Sequence, residues 1–287
     1  MNKDPFRCPP VILIGARSYI GRVVASFLES CGYRIVSANS DNCNLLEPSS
    51  IRFFYESLDS EKYVVVFVAA LTKPQGESYD GFVKNVQMVH NWVEVFNSEK
   101  VKSLIYLSSV DVYGRPDTLP ITENTSLSPD NWYGLSKRDC EWILHLQAQD
   151  QGFPVSILRI PGVYGDGQGD KSVVKSLLDQ AKRGSIRIHG SRYVKRDYLY
   201  VCDLAGLIKM CIQDPFDDCV NISSGEVLSI KDIVDHICDA SGLKFNITYQ
   251  PSTNRSFDLI YGNDKLRSCF PNFNFTPFIQ GLSSYLP

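Results

Sequence analysis

The amino-acid sequence predicts an α/β protein that combines a doubly wound parallel sheet with a smaller, mixed α/β lobe at its C-terminal end. Short apolar segments typical of strands alternate with helix-like segments over roughly the first 160 residues, which is the order found in βαβ units. The run VVVFVAA at 64–70 is apolar without alternation, as expected for a strand covered on both faces. After Gly162 the segments become shorter and glycine-punctuated, which indicates the second lobe.

The elements follow in order from the apolar periodicity and the turn residues. Gly32 is expected to end the first helix. Strands are expected at Val11 to Gly15, Tyr33 to Ala38, Lys62 to Ala70, Val101 to Ser108, Pro154 to Ile160, Ile186 to His189, Tyr198 to Val201 and Phe245 to Tyr249. Helices are expected at Arg22 to Ser30, Ile51 to Leu58, Phe82 to Phe96, Asn131 to Gln149, Ser172 to Arg183 and Ile230 to Ser241. The chain is therefore divided into residues 1–162 and 163–287, with the second part interwoven with the first.

Composition places the chain among ordinary globular proteins. Hydrophobic residues make up 44% of the 287 residues and charged residues 21%, so there is enough apolar material for a large core. The net charge of -3, without long runs of one sign, gives no indication of a nucleic-acid or membrane surface. No window reaches the length of a membrane span, and the N-terminal segment lacks the apolar stretch of a signal peptide.

The nine cysteines are scattered, odd in number and never spaced as C-x-x-C. Buried, reduced thiols are therefore favoured over a disulfide framework or a metal site, and the four histidines show no ligand spacing either. Because reduced thiols indicate the cytosol, we expect a soluble, cytoplasmic protein without a bound metal.

A glycine-bracketed loop follows the first strand directly and leads into a helix. Glycine lets the backbone approach a pyrophosphate, and the helix start offers N–H groups and the positive end of its dipole. This arrangement predicts a dinucleotide site, whereas the motif taken alone also fits an ordinary glycine-rich turn. The loop residues expected to contact the cofactor are Gly15, Arg17, Ser18, Tyr19, Ile20 and Gly21.

The charges around this loop favour NADP(H) over NAD(H). Sites for NAD usually place an acid at the end of the second strand, where it binds the ribose hydroxyls. Asn39 occupies that place here, and Arg17 in the loop suits a 2′-phosphate. In the alternative interpretation Arg17 is a solvated loop residue, and Asp41 takes the role of the acid so that NAD(H) binds.

Tyr133 and Lys137 are four residues apart on a predicted helix, and a serine pair that ends at Ser109 closes the preceding strand. The spacing puts the tyrosine and the lysine on one helix face, where the ammonium is expected to lower the pKa of the phenol. Tyr133 would then exchange a proton near neutral pH, and Ser109 would hold the reacting oxygen. Tyr-x-x-x-Lys alone is common by chance, but its combination with the serine pair and the glycine loop predicts a catalytic site.

Together these motifs resemble the extended short-chain dehydrogenase/reductases, the superfamily of nucleotide-sugar epimerases, dehydratases and ketoreductases, over nearly the whole chain. That family has a Rossmann-type sheet and carries three glycines in its loop, of which Ser18 replaces the middle one here. Further segments that carry the resemblance are Ala69-Ala70, Asn85, 106–114, 158–165, 196–205 and 221–229. The last two are specific to the sugar-nucleotide branch.

The resemblance implies which part of the chain binds which ligand. Residues 1–162 would bind the dinucleotide, and residues 163–287 would bind the nucleotide sugar. Lys137 would hold the ribose as well as tune the tyrosine. The cofactor contacts outside the glycine loop would be Asn39, Ala69, Ala70, Asn85, Tyr133 and Lys137.

The same resemblance assigns the substrate contacts. Arg196 would bind the diphosphate and Arg255 would be a second phosphate ligand, since a planar guanidinium suits phosphate oxygens. The alternatives are a structural salt bridge from Arg196 to Asp197 or Asp203 and a plain surface position for Arg255. The implied contacts are Ser109, Asp111, Arg196 and Arg255.

Three departures from the family favour a ketoreductase. The dehydratases place a glutamate two residues after the serine or threonine, where this chain has Asp111 without a partner acid at Val110. Gly162 takes the place of an asparagine found in many 4-epimerases and dehydratases, and the chain is short for either group. We therefore expect NADPH-dependent reduction of the C4 ketone of a nucleoside-diphosphate 4-keto-6-deoxy sugar, with Tyr133 as the proton donor.

Two alternatives to the ketoreductase stay open. The first is a 4-epimerase with tightly bound NAD, and the second is a non-catalytic dinucleotide-sensing protein. By resemblance a homodimer through helices Phe82 to Phe96 and Asn131 to Gln149 is also expected, as is a role in making a surface polysaccharide.

Overall fold

The computed structural model describes residues 8–72, 75–169, 172–251 and 257–285. Strands and helices alternate through the N-terminal half, as the sequence predicts. The strands are β1 (Val11–Ile14), β2 (Ile35–Ala38), β3 (Tyr63–Phe67), β4 (Val101–Ser109), β5 (Val155–Ile160), β6 (Gly162–Tyr164), β7 (Ser185–His189), β8 (Lys195–Tyr200), β9 (Asp218–Asn221), β10 (Val227–Ser229) and β11 (Asn246–Gln250). The helices are α1 (Tyr19–Ser30), α2 (Pro48–Glu56), α3 (Tyr79–Val95), α4 (Trp132–Gln151), α5 (Val173–Lys182), α6 (Val201–Gln213), α7 (Ile230–Ser241), α8 (Asp264–Cys269) and α9 (Phe278–Ser283).

The main sheet has the strand order β2-β1-β3-β4-β5-β9. Strand β1 pairs in parallel with β2 and β3, and β3 pairs in parallel with β4. Every residue of β1 and β3 is buried, as their uninterrupted apolar runs predict. The predicted Rossmann-type α/β fold is therefore confirmed. Because the strand order reverses at β1 and β3, their carboxyl ends mark the place where such sheets bind ligands.

Three helices begin earlier than the apolar periodicity predicts, and one of them is α3, which begins at Tyr79 rather than Phe82. Helix α1 begins at Tyr19 rather than Arg22, because the Ser18 side chain caps it. Helix α2 begins at Pro48 rather than Ile51, because proline has the backbone angle of a first helical turn and no N–H to satisfy. Periodicity identifies the buried face of a helix, whereas its first turn is set by the cap.

Helix α6 and strand β9 are absent from the sequence-based prediction. The segment VCDLAGLIKMCI is apolar with few interruptions, so its helical period is hidden, as expected for a helix that is buried over most of its surface. Strand β9 borders β5 and completes the main sheet. The sixth strand of the sheet is therefore supplied by a segment far beyond Gly162.

The described residues form two compact units. The first contains the residues up to Gly114 together with Ser126–Arg159 and Leu204–Val220. The second contains Arg115–Thr125, Ile160–Asp203 and the residues from Asn221 onwards. Which unit binds which ligand stays a prediction.

The second unit is built on two small sheets. Strand β8 pairs in parallel with β6 and antiparallel with β10, and β7 pairs in parallel with β11. The nine cysteines, all among the described residues, form no disulfide with one another, and Cys43, Cys140 and Cys211 are buried, so the expected burial holds for part of them. Across the described ranges, no helix combines the length and the hydropathy that a membrane span requires.

Candidate active site

The loop after β1 requires glycine at its first position for two reasons. Gly15 has a φ of +90°, in the region that side chains disfavour. A Cβ at Gly15 would also lie 2.7 Å from the backbone nitrogen of Ala69, just after β3. The Gly15 N–H donates to the Ala38 carbonyl at the end of β2, at 2.9 Å. The carboxyl ends of β1, β2 and β3 therefore meet around Gly15, where the strand order reverses.

Ser18 is the N-cap of α1, and its backbone (φ -64°, ψ 164°) is a conformation that serine adopts without strain. Its Oγ accepts the Gly21 N–H at 3.0 Å, so one amide of the helix start is committed to this cap. Gly21 is still required, because a Cβ there would lie 2.3 Å from the Gly15 carbonyl oxygen. Tyr19 and Ile20 open the helix behind the cap. The glycine turn and the helix start together fit a dinucleotide phosphate, although serine replaces the middle glycine.

Arg17 and Asp41, which the sequence assigns to opposite cofactor preferences, form an ion pair with each other. Their side chains are 65% and 62% exposed, so the pair is weak and open to exchange. Asn39 Oδ1 accepts the Asp41 N–H at 2.9 Å, which fixes the turn after β2. A 2′-phosphate would compete with Asp41 for Arg17, whereas ribose hydroxyls would compete with Arg17 for Asp41.

Asn85 on α3 holds the segment that follows β3. Its side-chain amide accepts the Leu71 N–H at 2.7 Å and donates to the Leu71 carbonyl at 3.0 Å. Its Nδ2 also lies 3.3 Å from Ser136 Oγ on α4. Asn85 therefore positions the segment that contains Ala69 and Ala70, while direct contact of these three residues with a cofactor stays a prediction.

Tyr133 and Lys137 lie one turn apart on α4, on the side of the helix that packs against β4. The buried Lys137 Nζ donates to the Leu107 carbonyl at 2.6 Å and lies 4.6 Å from the centroid of the Tyr106 ring. The same Nζ lies 5.9 Å from the centroid of the Tyr133 ring. The Tyr133 ring also borders Gly76, where a Cβ would lie 3.1 Å from Tyr133 Cδ2. Both candidate catalytic side chains are therefore held by contacts with neighbouring segments.

Burial controls the protonation of this pair. It lowers the pKa of Lys137 to about 8, although the neighbouring Cys140 and Glu141 act in the opposite direction. It raises the pKa of Tyr133 well above its ordinary value, and the charge of Asp111 raises it further. This direction is opposite to the one expected from the neighbouring ammonium, because loss of solvation outweighs a cation that already donates to the main chain. At neutral pH Tyr133 is a phenol and most of Lys137 is an ammonium.

Ser109 closes β4 and caps the 3-10 turn Val110–Tyr113. Its Oγ accepts the Asp111 N–H at 3.1 Å, so in this contact the hydroxyl is an acceptor and its hydrogen is not used. Gly134 on α4 lets this turn approach, because a Cβ there would lie 2.3 Å from the Asp111 carbonyl oxygen. The structure thus brings Ser109 and Asp111 against the first turn of α4, which carries Tyr133.

Arg196 lies on β8 in the second unit and is half-buried. Its Nη1 donates to the Lys195 carbonyl at 2.8 Å and also to the Phe257 carbonyl. Its guanidinium carbon lies 5.4 Å from the centroid of the Phe257 ring. Burial lowers the pKa of Arg196, but an arginine side chain stays charged at any physiological pH.

The two aspartates considered as salt-bridge partners of Arg196 are bound elsewhere. Asp197 accepts from the Ser224 hydroxyl at 3.2 Å, and Asp203 accepts from the Thr276 hydroxyl at 2.8 Å. These contacts therefore give no support to the alternative in which Arg196 forms a structural salt bridge with Asp197 or Asp203. Arg255, the second expected phosphate ligand, lies outside the described residues.

Several residues that shape the site were given no role by the sequence analysis. Gly76 and Gly134 have no side chain, and this lets other backbone segments approach closely near Tyr133. Glu141 and Arg159 form a buried ion pair behind the serine pair, with an N···O distance of 2.7 Å. The sequence carries a signal for this pair, because an arginine within a buried strand requires an anionic partner.

Solved structures share this fold over nearly the whole chain. The Pseudomonas aeruginosa protein RMD in complex with NADPH superposes with a TM-score of 0.85 at 21% identity, covering 96% of this chain and 97% of that one. The UDP-glucose 4-epimerase of Thermus thermophilus in complex with NAD superposes with a TM-score of 0.83 at 19% identity, covering 96% of each chain. At these identities the likeness establishes the fold alone.

Relatives of known sequence carry epimerase and reductase names. UDP-arabinose 4-epimerase 1 of Arabidopsis thaliana is 27% identical over a gapped alignment of 305 residues, which covers 88% of this chain and 72% of the relative. An uncharacterized UDP-glucose epimerase of Bacillus subtilis is 30% identical over 168 residues, 58% of this chain and 53% of the relative. The dTDP-4-dehydro-6-deoxyglucose reductase of Escherichia coli is 34% identical over 142 residues, 47% of this chain and 45% of the relative. The chain thus spans about half the length of the two bacterial relatives.

The sequence model of one family matches residues 11–223, well over half of the chain. The match includes the glycine loop, the Ser109 turn, the helix with Tyr133 and Lys137, and the strand with Arg196. It agrees with the fold and with the resemblance inferred from the motifs. The chain therefore belongs to the NAD dependent epimerase/dehydratase family.

Proposed function

We propose that this protein uses NADPH to reduce the C4 ketone of a nucleoside-diphosphate 4-keto-6-deoxy sugar. Family membership supports a nicotinamide dinucleotide as the cofactor and a nucleotide sugar as the substrate. The Escherichia coli relative, which is named a reductase of a dTDP-4-dehydro-6-deoxy sugar, supports the type of reaction.

The observation that carries the proposal is the surroundings of Tyr133. Reduction of a ketone requires a group that gives a proton to the new alkoxide. Burial and the charge of Asp111 raise the pKa of Tyr133, so the phenol is ready to act as that donor.

Each residue of the site has a defined task in this mechanism. Ser109 donates its hydroxyl hydrogen to the ketone oxygen, since its oxygen already accepts the Asp111 N–H. Tyr133 gives its proton to the same oxygen, and the Lys137 ammonium stabilises the phenolate until solvent restores the proton. Lys137 keeps one N–H on the Leu107 carbonyl and turns the others to the ribose hydroxyls. The dinucleotide, when bound, supplies the hydride.

NADP(H) is favoured as the cofactor, and NAD(H) is the other possibility. Arg17 would bind the 2′-phosphate once it exchanges Asp41 for this stronger anion. Arg22 adds a second cation, since its Nη1 donates to the Arg17 carbonyl at 2.7 Å. Asn39 offers an uncharged amide at the strand end, where an acid would repel the phosphate.

The substrate contacts are proposed for the residues around β8 and the serine turn. The Arg196 guanidinium is fixed by two main-chain carbonyls and an aromatic ring, so its cation is already oriented to receive a diphosphate. Asp111 next to Ser109 would contact the sugar, and Arg255 would be a second diphosphate ligand. In this proposal the dinucleotide belongs to residues 1–162 and the nucleotide sugar to residues 163–287.

A 4-epimerase with tightly bound NAD is the second candidate, and two observations favour it. Asp41 lies within reach of the same loop as Arg17 and would bind ribose hydroxyls. The Arabidopsis relative, which is named a 4-epimerase, matches 88% of this chain. Such an enzyme would use Tyr133 first as a base and then as an acid.

Calorimetric titration with NADPH and NADH, followed by turnover of a nucleoside-diphosphate 4-keto-6-deoxy sugar, tests the proposal. We expect tighter binding of NADPH and consumption of NADPH at 340 nm, with turnover at least 100-fold lower in Tyr133→Phe. Tyr193→Phe, which changes an exposed tyrosine, is the matched control. NAD that survives purification, together with interconversion of a 4-hydroxyl, would replace the reductase by the epimerase. Failure to bind either dinucleotide would contradict both.

A homodimer through α3 and α4 is proposed as the working form. Both helices expose large apolar side chains, with Tyr79 64% and Trp142 57% accessible. Val83, Trp132 and Leu146 extend this exposed surface along the same two helices. Exposed large apolar side chains on neighbouring helices are typical of a protein–protein interface. Light scattering should give twice the chain mass, and Trp142→Lys with Leu146→Glu should give the monomer.

A further inference from the structure

A chain of buried polar groups lies directly behind the serine turn. Ser108 Oγ donates to the Glu141 carboxylate on α4. The same carboxylate accepts Nη2 of Arg159, at the end of β5, at 2.7 Å and accepts its Nε at 3.1 Å. The side chains of Glu141 and Arg159 are 5% and 6% exposed, so water screens this pair very little.

The chain of contacts continues from Arg159 back to the turn after β4. Arg159 Nη1 donates to the Tyr113 hydroxyl at 2.8 Å. Tyr113 is the last residue of the 3-10 turn Val110–Tyr113, and it is 1% exposed. The four polar side chains Ser108, Tyr113, Glu141 and Arg159 therefore link β4, the turn, α4 and β5 in one closed path.

This path reaches a candidate catalytic residue both through the chain and through the turn after β4. Ser108 immediately precedes Ser109, and Tyr113 ends the turn that the Ser109 hydroxyl caps. Glu141 follows Lys137 by one helical turn on α4, so the two lie on one face. A displacement of Glu141 would therefore be transmitted to both Ser109 and Lys137 through contacts within the protein.

We infer that Glu141 and Arg159 are positioning residues that fix Ser109 relative to Lys137. This inference rests on the proposed function, because it assigns these groups to the same reaction. Removal of one member of a buried, hydrogen-bonded ion pair leaves the other uncompensated. The pair therefore has one stable arrangement, as a rigid catalytic site requires.

The charge of Glu141 also acts on the Lys137 ammonium, together with the other groups that surround it. Among the described residues these are Tyr106 on β4 and Tyr133, Cys140 and Glu141 on α4. Burial lowers the pKa of Lys137 to about 8, and the charge of Glu141 opposes that decrease. Replacing the carboxylate by an amide of equal size should therefore lower the pKa of Lys137 further.

The test uses Glu141→Gln and Arg159→Lys, with Ser108→Ala as the mildest change and Asp150→Asn as the matched control. Asp150 is an exposed acid on the same helix, so its replacement removes a charge from α4 without entering the buried path. We expect Glu141→Gln to lower kcat about tenfold or more while the KM for the sugar changes less than about twofold. The pH midpoint of NADPH binding should fall. Asp150→Asn should leave both values unchanged.

The outcomes separate the inference from the proposed function. If the wild-type protein binds cofactor and turns over, unchanged kcat and pH midpoint in a folded Glu141→Gln would overturn the inference. If Glu141→Gln does not fold, Ser108→Ala must still lower kcat about threefold or more, and an unchanged kcat would overturn the inference. If the wild-type protein binds no dinucleotide, the proposed function fails, and crystal structures decide the positioning. Movement of Ser109 Oγ or Lys137 Nζ by more than about 0.5 Å in Glu141→Gln would then support it, and unmoved atoms would refute it.

Discussion

Replacement of Gly134 by alanine has two opposing effects on stability, and the size of each is known. Alanine in a helix interior is favoured over glycine by about 1 kcal/mol. At this position, however, the new Cβ would lie 2.3 Å from the Asp111 carbonyl oxygen and 2.8 Å from its carbon. Both atoms are backbone, so the contact is relieved only if α4 or the Ser109 turn shifts, and forcing a group into a packed site costs about 1–3 kcal/mol. The net effect should be a loss of stability of up to about 2 kcal/mol.

Thermal unfolding and turnover measure the two consequences separately. For a chain of this size, about 1 kcal/mol corresponds to a change in Tm of about 2–4 °C, so Gly134→Ala should lower Tm by a few degrees. The shift separates Ser109 from Tyr133, and a misplacement of about 1 Å lowers turnover by about 100-fold. Gly169→Ala is the matched control, since a Cβ there meets nothing within 4 Å.

The result that would refute this reasoning is an increase in stability. If Gly134→Ala raised Tm and kept full turnover, helix propensity would outweigh the contact, and the approach of the turn to α4 would not be tight. If Gly169→Ala lowered Tm as much as Gly134→Ala, the loss would be a general property of glycine replacement and would not come from the Asp111 contact.

Three further predictions concern the cofactor loop and the lysine. Asp41→Asn should release Arg17 and tighten NADPH binding about two- to fivefold at low salt, as measured by calorimetry, with a smaller gain in high salt; unchanged affinity would contradict this. Ser18→Ala should lower the free energy of unfolding by about 1 kcal/mol because the Gly21 N–H loses its cap, whereas Ser18→Gly should cost only a few tenths. Equal stability of all three proteins in denaturant would refute this role of the serine. Lys137 has a pKa of about 8 in the folded protein and about 10.4 unfolded, so the unfolded state binds more protons between these values, and wild-type stability should rise with pH relative to Lys137→Met. Denaturation curves of the two proteins that keep a constant difference from pH 7.5 to 10 would contradict it.

The sheet could be predicted from the sequence because its first strands are mainly apolar, with β1 and β3 uninterrupted, and alternate with helices. The same continuity hides α6, since a segment that is apolar on most sides has no visible helical stripe. Strand β9 is short, with only four residues, and its place beside β5 depends on a contact far away in sequence. Local patterns contain no information on such a pairing.

The site shows the same division between local and distant information. The spacing of Tyr133 and Lys137 predicts their common helix face, but the pKa of Tyr133 depends on burial, which only the folded chain defines. The sequence assigns Arg17 and Asp41 to opposite cofactor preferences, and it does not indicate that the two residues form an ion pair with each other. The partner of Arg159 likewise becomes visible only when β5 and α4 are placed side by side.

The return of residues 204–220 to the first unit limits how this protein can be recombined with its relatives. A fragment that ends at residue 162 would lack α6 and β9, so β5 would become an open edge with unpaired N–H and C=O groups. A graft that exchanges the second unit must replace three separate segments, 115–125, 160–203 and 221–287, and keep the piece between the last two. The second unit therefore cannot be exchanged by joining two chains at a single position. Point substitutions within the second unit, by contrast, leave the main sheet whole.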